Sequence, residues 1–288
     1  MAMKVVLMGA GGKMGCRITD NLSRNPDYAM SYVEISEAGI ANLRQRGLAP
    51  TPQDEALAQA EAVILAVPDR LIGRISHEIV PKLKRGTLVI GLDPAAAYAG
   101  VMPERADITY FVTHPCHPPV FHDETTPEAR TDWFGGVYAK QDIVCALHYG
   151  PEADYAKGER IARDMYAPVV RAFRVTVEQM AILEPALVET LSSTCIAIIR
   201  EGFDEAVRMG VPRDAALGFL MGHIRIQLAV LFDYAGFPFS DGAKLAIERA
   251  RDKIFRPDWK ENVMNLDALR RSVAEITDSL YRERADLL

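Results

Sequence analysis

Residues 111–124 (FVTHPCHPPVFHDE) concentrate side chains that could do chemistry. The stretch contains three of the chain's six histidines, one of its four cysteines and three prolines. Imidazole and thiolate groups can bind a transition metal, and a cysteine beside a histidine can act as a nucleophile. The prolines argue against a regular helix or a central strand. A metal site, a nucleophilic centre and a stiff loop are therefore all open interpretations.

A closed structural zinc site is not expected here, because it needs four ligands, usually supplied as two spaced pairs. The other candidate pair, Cys145 and His148, lies on a predicted strand, where residues three apart point to opposite faces. An open catalytic metal site would need a ligand from the second half of the chain. Glu184 is the candidate, because Pro185 suits the first turn of a long predicted helix. A carboxylate at that place would also simply favour the helix dipole.

Two further side chains have a chemical and a structural interpretation. Cys116 beside His117 could be an activated thiolate, although adjacent residues rarely place their side chains together and cysteine commonly packs as a small hydrophobe. His223 lies among apolar residues in a predicted helix. It would be a packed core histidine or a substrate contact.

The elements that position these residues follow from the apolar pattern. Short β-rich runs alternate with helical stretches through the first half; the runs are residues 5–8, 29–34, 62–67, 88–92, 108–112 and 142–149. This alternation predicts an α/β fold with a parallel, doubly wound Rossmann sheet. After about residue 174 only helical spacing follows, in stretches covering residues 188–209, 214–234, 243–255 and 266–281. We therefore expect a Rossmann domain over residues 1–178 and an all-α domain over residues 179–288.

A glycine-rich loop after the first run predicts a dinucleotide site. Residues 9–15 (GAGGKMG) form a turn one residue longer than G-x-G-x-x-G and open a helix. Missing Cβ atoms let the backbone approach a pyrophosphate, and the helix N-terminus supplies N–H donors. The expected cofactor contacts within this turn are Gly9, Ala10, Gly11, Gly12, Lys13 and Met14.

Two acidic residues complete the predicted cofactor site. Glu34 ends the second run, 19 residues beyond Gly15, which is near the spacing of a ribose-binding acid. A carboxylate there would bind the 2′-hydroxyl of NAD and repel the 2′-phosphate of NADP. Asp69 follows the third run, at the edge of the sheet where such folds bind ligands. The expected cofactor is therefore NAD.

Composition limits the possible partners and locations. The formal charge is −6 without a basic cluster, so we expect no nucleic-acid partner. No apolar run reaches roughly 18 residues, so we expect no membrane span. The four scattered cysteines indicate reduced thiols, and the start of the chain has no cleavable signal pattern. A cytoplasmic location is the expectation.

A Rossmann domain followed by helices resembles the 6-phosphogluconate and 3-hydroxyacid dehydrogenase superfamily. Most members have a general-base lysine early on the first long helix, but no lysine occurs here from Gly158 to Ala243. A more specific resemblance is to the D-apionate oxidoisomerases. It rests on residues 9–15, on residues 113–121, and on two further stretches, residues 175–186 (VTVEQMAILEPA) and 255–259 (FRPDW).

The resemblance to the D-apionate oxidoisomerases implies an NAD-dependent alcohol oxidation coupled to an isomerisation, from D-apionate to 3-oxo-isoapionate. It implies a divalent metal, expected to be zinc, with ligands at His114 and Glu184, and a catalytic role for these two residues and His223. Arg225 and Gln227 stand where the resemblance implies Asn and Glu, two and four residues after His223. The alternative is a metal-independent NAD dehydrogenase of another hydroxy acid, and a different class is an NAD-sensing protein. The superfamily and the apolar helices both predict a homodimer.

Overall fold

A seven-stranded sheet forms the centre of the first part of the chain. The computed structural model describes residues 1–278. The strands lie in the order β2-β1-β3-β4-β5-β6-β7. Their bounds are β1 Met3–Met8, β2 Tyr28–Val33, β3 Ala62–Leu65, β4 Leu88–Gly91, β5 Thr109–Pro115, β6 Gln141–Tyr149 and β7 Val169–Arg174.

Strand direction departs from the predicted parallel sheet at one place. The strands β1 to β5 pair in parallel, but β6 pairs with β5 antiparallel, and β7 pairs with β6 in parallel. The predicted parallel sheet holds for β1 to β5, whereas β6 and β7 run in the opposite direction and β7 is not among the predicted strands. The apolar pattern of a strand depends on its burial and carries no information about its direction.

Helices cover both faces of this sheet and account for the continuous apolar runs. They are α1 Lys13–Leu22, α2 Glu37–Gln45, α3 Gln53–Leu57, α4 Asp69–Ile79, α5 Ala95–Tyr98, α6 Pro127–Arg130 and α7 Asp154–Met165. Alternate residues of β1 enter separate buried clusters: Val5 and Leu7 pack in one cluster, and Val6 and Met8 in another. Burial of both faces confirms the doubly wound architecture.

The strand order creates a crevice at the carboxyl ends of β1 and β3. From β1 the chain goes to β2 on one side and then to β3 on the other side. Ligands of open α/β sheets bind where the strand order reverses in this way. The loop after β1 carries Gly9, and α4 begins after β3 with Asp69, so the topology puts both predicted cofactor segments at this crevice.

One helix of 32 residues, Val177–Arg208, follows β7. It consists of α8 Val177–Ala181, a stretch with π-helical hydrogen bonding over Ile182–Ser192, and α9 Ser193–Arg208. Thr176 caps the start, since its side chain accepts from the Gln179 N–H while the Gln179 side chain accepts from the Thr176 N–H. The prediction that Glu184 and Pro185 open the helix was therefore wrong. Pro185 lies inside the helix, within the π stretch. This stretch has i→i+5 hydrogen bonds in place of i→i+4 bonds, which changes the N–H groups that need a carbonyl partner.

The remaining helices are α10 Arg213–Leu231, α11 Asp241–Ile254, α12 Trp259–Val263 and α13 Leu266–Ile276. Within the described residues the chain divides into two units, and Leu183–Leu269 forms the second. The first unit contains residues 1–182 and, of the described residues, 270–278, and the expected domain boundary at residue 178 stays a prediction. The predicted last helix ends at Ile276, and its expected end at Tyr281 lies outside the described residues.

Two helices of the second half have the length and composition of membrane spans, namely Val177–Arg208 and Arg213–Leu231. The sequence-based expectation had counted uninterrupted apolar runs only, and these helices tolerate a few charges. Core helices of soluble proteins satisfy the same criterion, but little of either helix is buried in the single chain. Their exposed apolar surface therefore needs an explanation, which is considered under the proposed function.

Candidate active site

The glycine loop is packed too closely for side chains at Gly9, Gly11 and Gly15, where a Cβ on Gly15 would lie 2.0 Å from the Gly9 carbonyl oxygen. Gly9 has a φ of +72°, and a Cβ there would lie 2.3 Å from the Ala66 carbonyl oxygen, just after β3. A Cβ on Gly11 would lie 2.1 Å from the Gly39 carbonyl oxygen of α2. The loop is thus held closely between β3 and α2, which only residues without a Cβ allow.

Glu34 binds the glycine loop directly, beyond its predicted role at the ribose. Its carboxylate accepts hydrogen bonds from the Gly11 N–H at 3.0 Å, from the Ile35 N–H, and from the Ser36 N–H and hydroxyl. Burial alone would raise the pKa of Glu34, but hydrogen bonds from Ser36, Gly11 and Ile35 outweigh it and lower the pKa below its ordinary value of 4.5. Glu34 is therefore an anion at neutral pH, which favours a ribose hydroxyl over a phosphate.

The N-terminus of α1 offers free backbone donors for a pyrophosphate. Gly12 is the N-cap residue and no side chain caps the first turn, so the N–H groups of Lys13, Met14 and Gly15 have no intrahelical partner. The N–H groups of Gly9 and Ala10 are bound to the Val33 carbonyl oxygen. Together with the Gly11–Glu34 bond, this assigns the donor role to the helix start rather than to the loop before it.

Asp69 is the first residue of α4, half-buried, after Pro68 as N-cap. An acidic residue at this position favours the positive end of the helix dipole. The topology places it at the crevice, on the opposite side of the glycine loop from Glu34. Its predicted contact with NAD remains a prediction.

His114 lies at the end of β5, which runs on through Pro115. The expectation that the prolines exclude a centrally paired strand agrees with the pairing, because the strand continues to Pro115 only where it is paired on one side. β5 pairs with β4 only as far as Val112, so His114 and Pro115 pair with β6 alone and the missing N–H of Pro115 breaks no bond. The half-buried His114 donates from Nδ1 to the Leu92 carbonyl oxygen at 2.8 Å. A carbonyl only accepts, so Nε2 remains the lone-pair nitrogen, as a metal-binding histidine needs.

Cys116 and His117 follow β5 and have different environments. Cys116 is exposed, and its N–H donates to the Asp142 carbonyl oxygen at 2.9 Å. His117 donates from Nδ1 to the Phe134 carbonyl oxygen at 2.9 Å, and its ring stands edge-on to His114 with 6.2 Å between centroids. Cys145 is fully buried against Thr113 while His148 is exposed, as expected for their opposite faces of β6.

The other two predicted catalytic residues belong to the helical unit. Glu184 is half-buried in the π stretch. His223 is exposed on α10, donates from Nδ1 to the Phe219 carbonyl oxygen, and stacks on the Phe219 ring. It lines an apolar groove of about 680 Å³ between α9 and α10, together with Gln227. His223 is thus not a buried core histidine, and its catalytic role remains a prediction.

Among residues 1–278, no group of three or more His, Cys, Asp or Glu side chains is arranged to hold a metal ion. Several contacts of the cofactor site had no signal in the sequence analysis. Asn42 of α2 donates to the Gly11 carbonyl oxygen at 2.9 Å, and Phe134 stacks on Lys13 and Arg17. These contacts join residues far apart in the chain, and only the turn after Glu34, with Ser36 capping α2, has a local sequence signature.

Comparison with known proteins defines the class first. Residues 122–277 match the family of the C-terminal domain of decarboxylating phosphogluconate dehydrogenase. A structure of an NAD-binding semialdehyde dehydrogenase protein from Cupriavidus necator, in complex with calcium and NAD, is 48% identical with a TM-score of 0.93 and covers 96% of this chain and 100% of that one. The fold and the cofactor site are those of an NAD-dependent oxidoreductase.

Curated relatives then identify the family. A D-apionate oxidoisomerase from Cupriavidus necator is 48% identical over 278 residues, which is 96% of this chain and 100% of the relative. One from Rhizobium rhizogenes is 50% identical over 274 residues, covering 95% and 99%. The chain belongs to the D-apionate oxidoisomerase family, which confirms the sequence resemblance. An NADH-preferring ketol-acid reductoisomerase from an uncultured archaeon, 16% identical with a TM-score of 0.66, covers 95% of this chain and 82% of that one and shares the fold alone.

Proposed function

We propose that the protein converts D-apionate to 3-oxo-isoapionate in an NAD-dependent oxidation and isomerisation assisted by a divalent cation. The observation that supports this proposal most directly is the position of His114 at the carboxyl edge of the sheet. Its Nδ1 donates to the Leu92 carbonyl oxygen, and in that tautomer Nε2 carries the lone pair that a cation needs, at the sheet edge where NAD is proposed to bind. The family supports the sugar acid as the substrate.

Bound NAD⁺ supplies the hydride acceptor for the carbon that carries the substrate's hydroxyl group. Glu34 orients the cofactor through its ribose, and the N–H groups at the start of α1 bind its pyrophosphate. A bound divalent cation supplies a Lewis acid that polarises the oxygens of a hydroxy acid. His114 and Glu184 are the proposed ligands, and two protein ligands leave coordination positions for the substrate.

The identity of the cation follows from the donor atoms in this proposal. Imidazole nitrogen suits zinc and neighbouring transition metals, whereas calcium prefers oxygen ligands. Zinc is therefore the ion that we propose, although the related structure from Cupriavidus necator contains calcium. This preference for zinc is tested by adding zinc, manganese and calcium separately to the chelator-treated protein and comparing their effects.

Substrate specificity is assigned to α10 in this proposal. His223 would contact the sugar acid, and Gln227 lines the same groove. Arg225 and Gln227 stand where the family resemblance leads us to expect Asn and Glu, so the choice among sugar acids is proposed to depend on these two positions.

A second copy of the chain is proposed to cover the apolar helices. Leu217, Phe219, Met221 and Ile226 of α10 are exposed large hydrophobic residues in the single chain. A bilayer would be an alternative cover, but His223 and Arg225 in the middle of α10 are costly in lipid. The four free cysteines agree with the proposed cytoplasmic location, which cell fractionation can test.

The test of the reaction is incubation with NAD⁺ and D-apionate, with NADH formation and the carbon skeleton of the product both followed, the latter by NMR. The expected product has a rearranged skeleton. A simple keto acid would support the metal-independent dehydrogenase instead. If D-apionate gave no NADH while another hydroxy acid did, the proposed substrate would be wrong.

The test of the metal is chelation together with His114→Ala and Glu184→Gln. We expect loss of bound cation, measured by elemental analysis, and loss of the rearranged product. His122→Ala is the matched control, since His122 is an exposed histidine after the same strand. Full NAD-linked turnover of D-apionate by the double variant would refute the metal role.

A further inference from the structure

Phe134 contacts both the cofactor helix and His117, whose ring stands edge-on to the Phe134 ring with 5.6 Å between centroids. The Lys13 Nζ lies 3.7 Å from the centroid of the Phe134 ring, and the Arg17 Cζ lies 4.6 Å from it. The backbone carbonyl oxygen of Phe134 accepts the hydrogen bond from His117 Nδ1 at 2.9 Å. Phe134, in the β5–β6 connection, therefore contacts both the start of α1, where the pyrophosphate is proposed to bind, and His117 at the carboxyl edge of the sheet.

Lys13 and Arg17 are placed where cations are unfavourable in the absence of an anion. They lie one turn apart at the start of α1, near the positive end of the helix dipole, and like charges four residues apart repel each other. The first turn of α1 contains no acidic residue, and within residues 1–278 neither cation forms an ion pair with a carboxylate. Lys13 and Arg17 instead both contact the Phe134 ring, beside the backbone N–H groups that are proposed to bind the pyrophosphate.

His117 is held in a conformation that few side chains adopt. Its φ is +60°, in the left-handed region that is uncommon for residues other than glycine. Such backbone persists when surrounding contacts fix it, and it is concentrated at functional sites. Here the bond to the Phe134 carbonyl oxygen fixes the imidazole with its proton on Nδ1. The Nε2 atom is then a hydrogen-bond acceptor, on a ring that stands edge-on to His114.

The turn that carries Phe134 is tied down on both sides. The Asp132 carboxylate accepts hydrogen bonds from the N–H groups of Val137, Tyr138 and Ala139. The Asn21 side chain of α1 donates to the Gly136 carbonyl oxygen at 3.0 Å. Phe134 itself remains 39% exposed, so its environment leaves room for a ligand. The Phe134 turn thus contacts α1 on one side and His117 on the other.

We propose that Phe134 is a positioning residue that links NAD binding to His117. Its ring holds Lys13 and Arg17 for the NAD pyrophosphate, while its carbonyl oxygen fixes the tautomer and position of His117. This link depends on NAD binding and not on the identity of the sugar acid. It can therefore be tested independently of the proposed substrate.

Affinity for NADH tests the ring. Phe134→Leu removes the ring and keeps the carbonyl, Phe134→Tyr keeps both, and Phe173→Leu is the matched control because Arg171 stacks on that exposed ring of β7. Fluorescence titration of the full-length proteins should show about three- to tenfold weaker binding for Phe134→Leu. Binding should be restored in Phe134→Tyr and unchanged in Phe173→Leu. Unchanged affinity of a folded Phe134→Leu protein would refute the role of the ring.

A double-variant cycle separates positioning from general loss of structure. If Phe134 acts through Arg17, then Phe134→Leu should weaken NADH binding less in an Arg17→Gln background than in the wild type. Effects that multiply in full would mean that the two residues act independently, and the proposal would be wrong.

The histidine side of the link has a spectroscopic test. NMR of ¹⁵N-histidine-labelled protein, with His117→Gln for assignment, reports the tautomer of His117. We expect the Nδ1–H tautomer, a change in its signals on addition of NADH, and a smaller change in Phe134→Leu. If the His117 signals did not change on addition of NADH, or changed equally in Phe134→Leu, Phe134 would not link NAD binding to His117.

Discussion

At the scale of the residue, Glu34 is the side chain that we expect to select NAD over NADP. Its carboxylate is negative at neutral pH and is already hydrogen bonded to the glycine loop. We expect Glu34→Gln to weaken NAD⁺ binding by roughly tenfold or more, because a charged acceptor for the ribose hydroxyl is lost. Binding of NADP⁺ should improve at the same time, because repulsion of the 2′-phosphate is removed. Dissociation constants for both cofactors test this, and an unchanged NAD⁺ to NADP⁺ ratio would contradict it.

The same carboxylate makes the fold sensitive to acid. The pKa of Glu34 in the folded protein lies below its ordinary value of 4.5, so the unfolded chain takes up the proton first as pH falls. The stabilisation is therefore present in full above that value and is lost as pH falls through the lower folded-state pKa. Urea unfolding should show that Glu34→Gln costs stability at neutral pH and much less in acid. Glu55→Gln, an exposed acid in α3, should show no such difference.

The site residues that sequence analysis found are those with local signals. The glycine spacing and the distance to Glu34 are both contained in one β-α-β unit, so they could be read from the sequence, and the contacts of these residues with NAD remain a prediction. The hydrogen bond between Glu34 and Gly11 could not be read in this way, because it depends on the position of α2 against the loop. Phe134 gave no signal at all, since its contacts with Lys13 and Arg17 cross more than a hundred residues of chain.

Among the elements, the long helix Val177–Arg208 depends on a defined start. Thr176 and Gln179 form reciprocal hydrogen bonds there. Thr176→Ala should lower the free energy of unfolding by about 1 kcal/mol, because an N–H at the helix start loses its acceptor. Thr194→Ala, the same change at an exposed position within the helix, is the control and should have little effect. Equal losses from both variants in urea unfolding would show that the cap is unimportant.

The predicted elements differ from the structure at β7, in the direction of β6 and at the start of the long helix. β7 is largely exposed and carries Arg171 and Arg174, so it lacks the apolar run that revealed the other strands. The direction of β6 is set by its connection to β5, which the apolar pattern does not encode. Pro185 was taken as a helix start, because proline inside a helix is rare and the π stretch that accommodates it has no simple sequence signature.

At the scale of the whole molecule, the exposed helices make the single chain an incomplete unit. Apolar burial contributes about 25 cal/mol per Å², and permanent dimers commonly bury about 2,000 Å² or more of largely apolar surface. A second copy that covers α9 and α10 would therefore stabilise the helical unit strongly, without placing His223 and Arg225 in lipid. The expected state in solution is a dimer, with twice the chain's mass of 31.8 kDa.

Light scattering coupled to gel filtration tests the dimer, and Phe219→Glu tests its surface. Phe219 is 70% exposed on α10, and a charge there would be buried without a partner in the dimer. We expect this variant to shift toward the monomer mass, whereas Val170→Glu on β7, 57% exposed in the first unit, should remain dimeric. A monomeric wild type at micromolar concentration would contradict the dimer, and recovery of the protein with membranes would favour lipid as the cover.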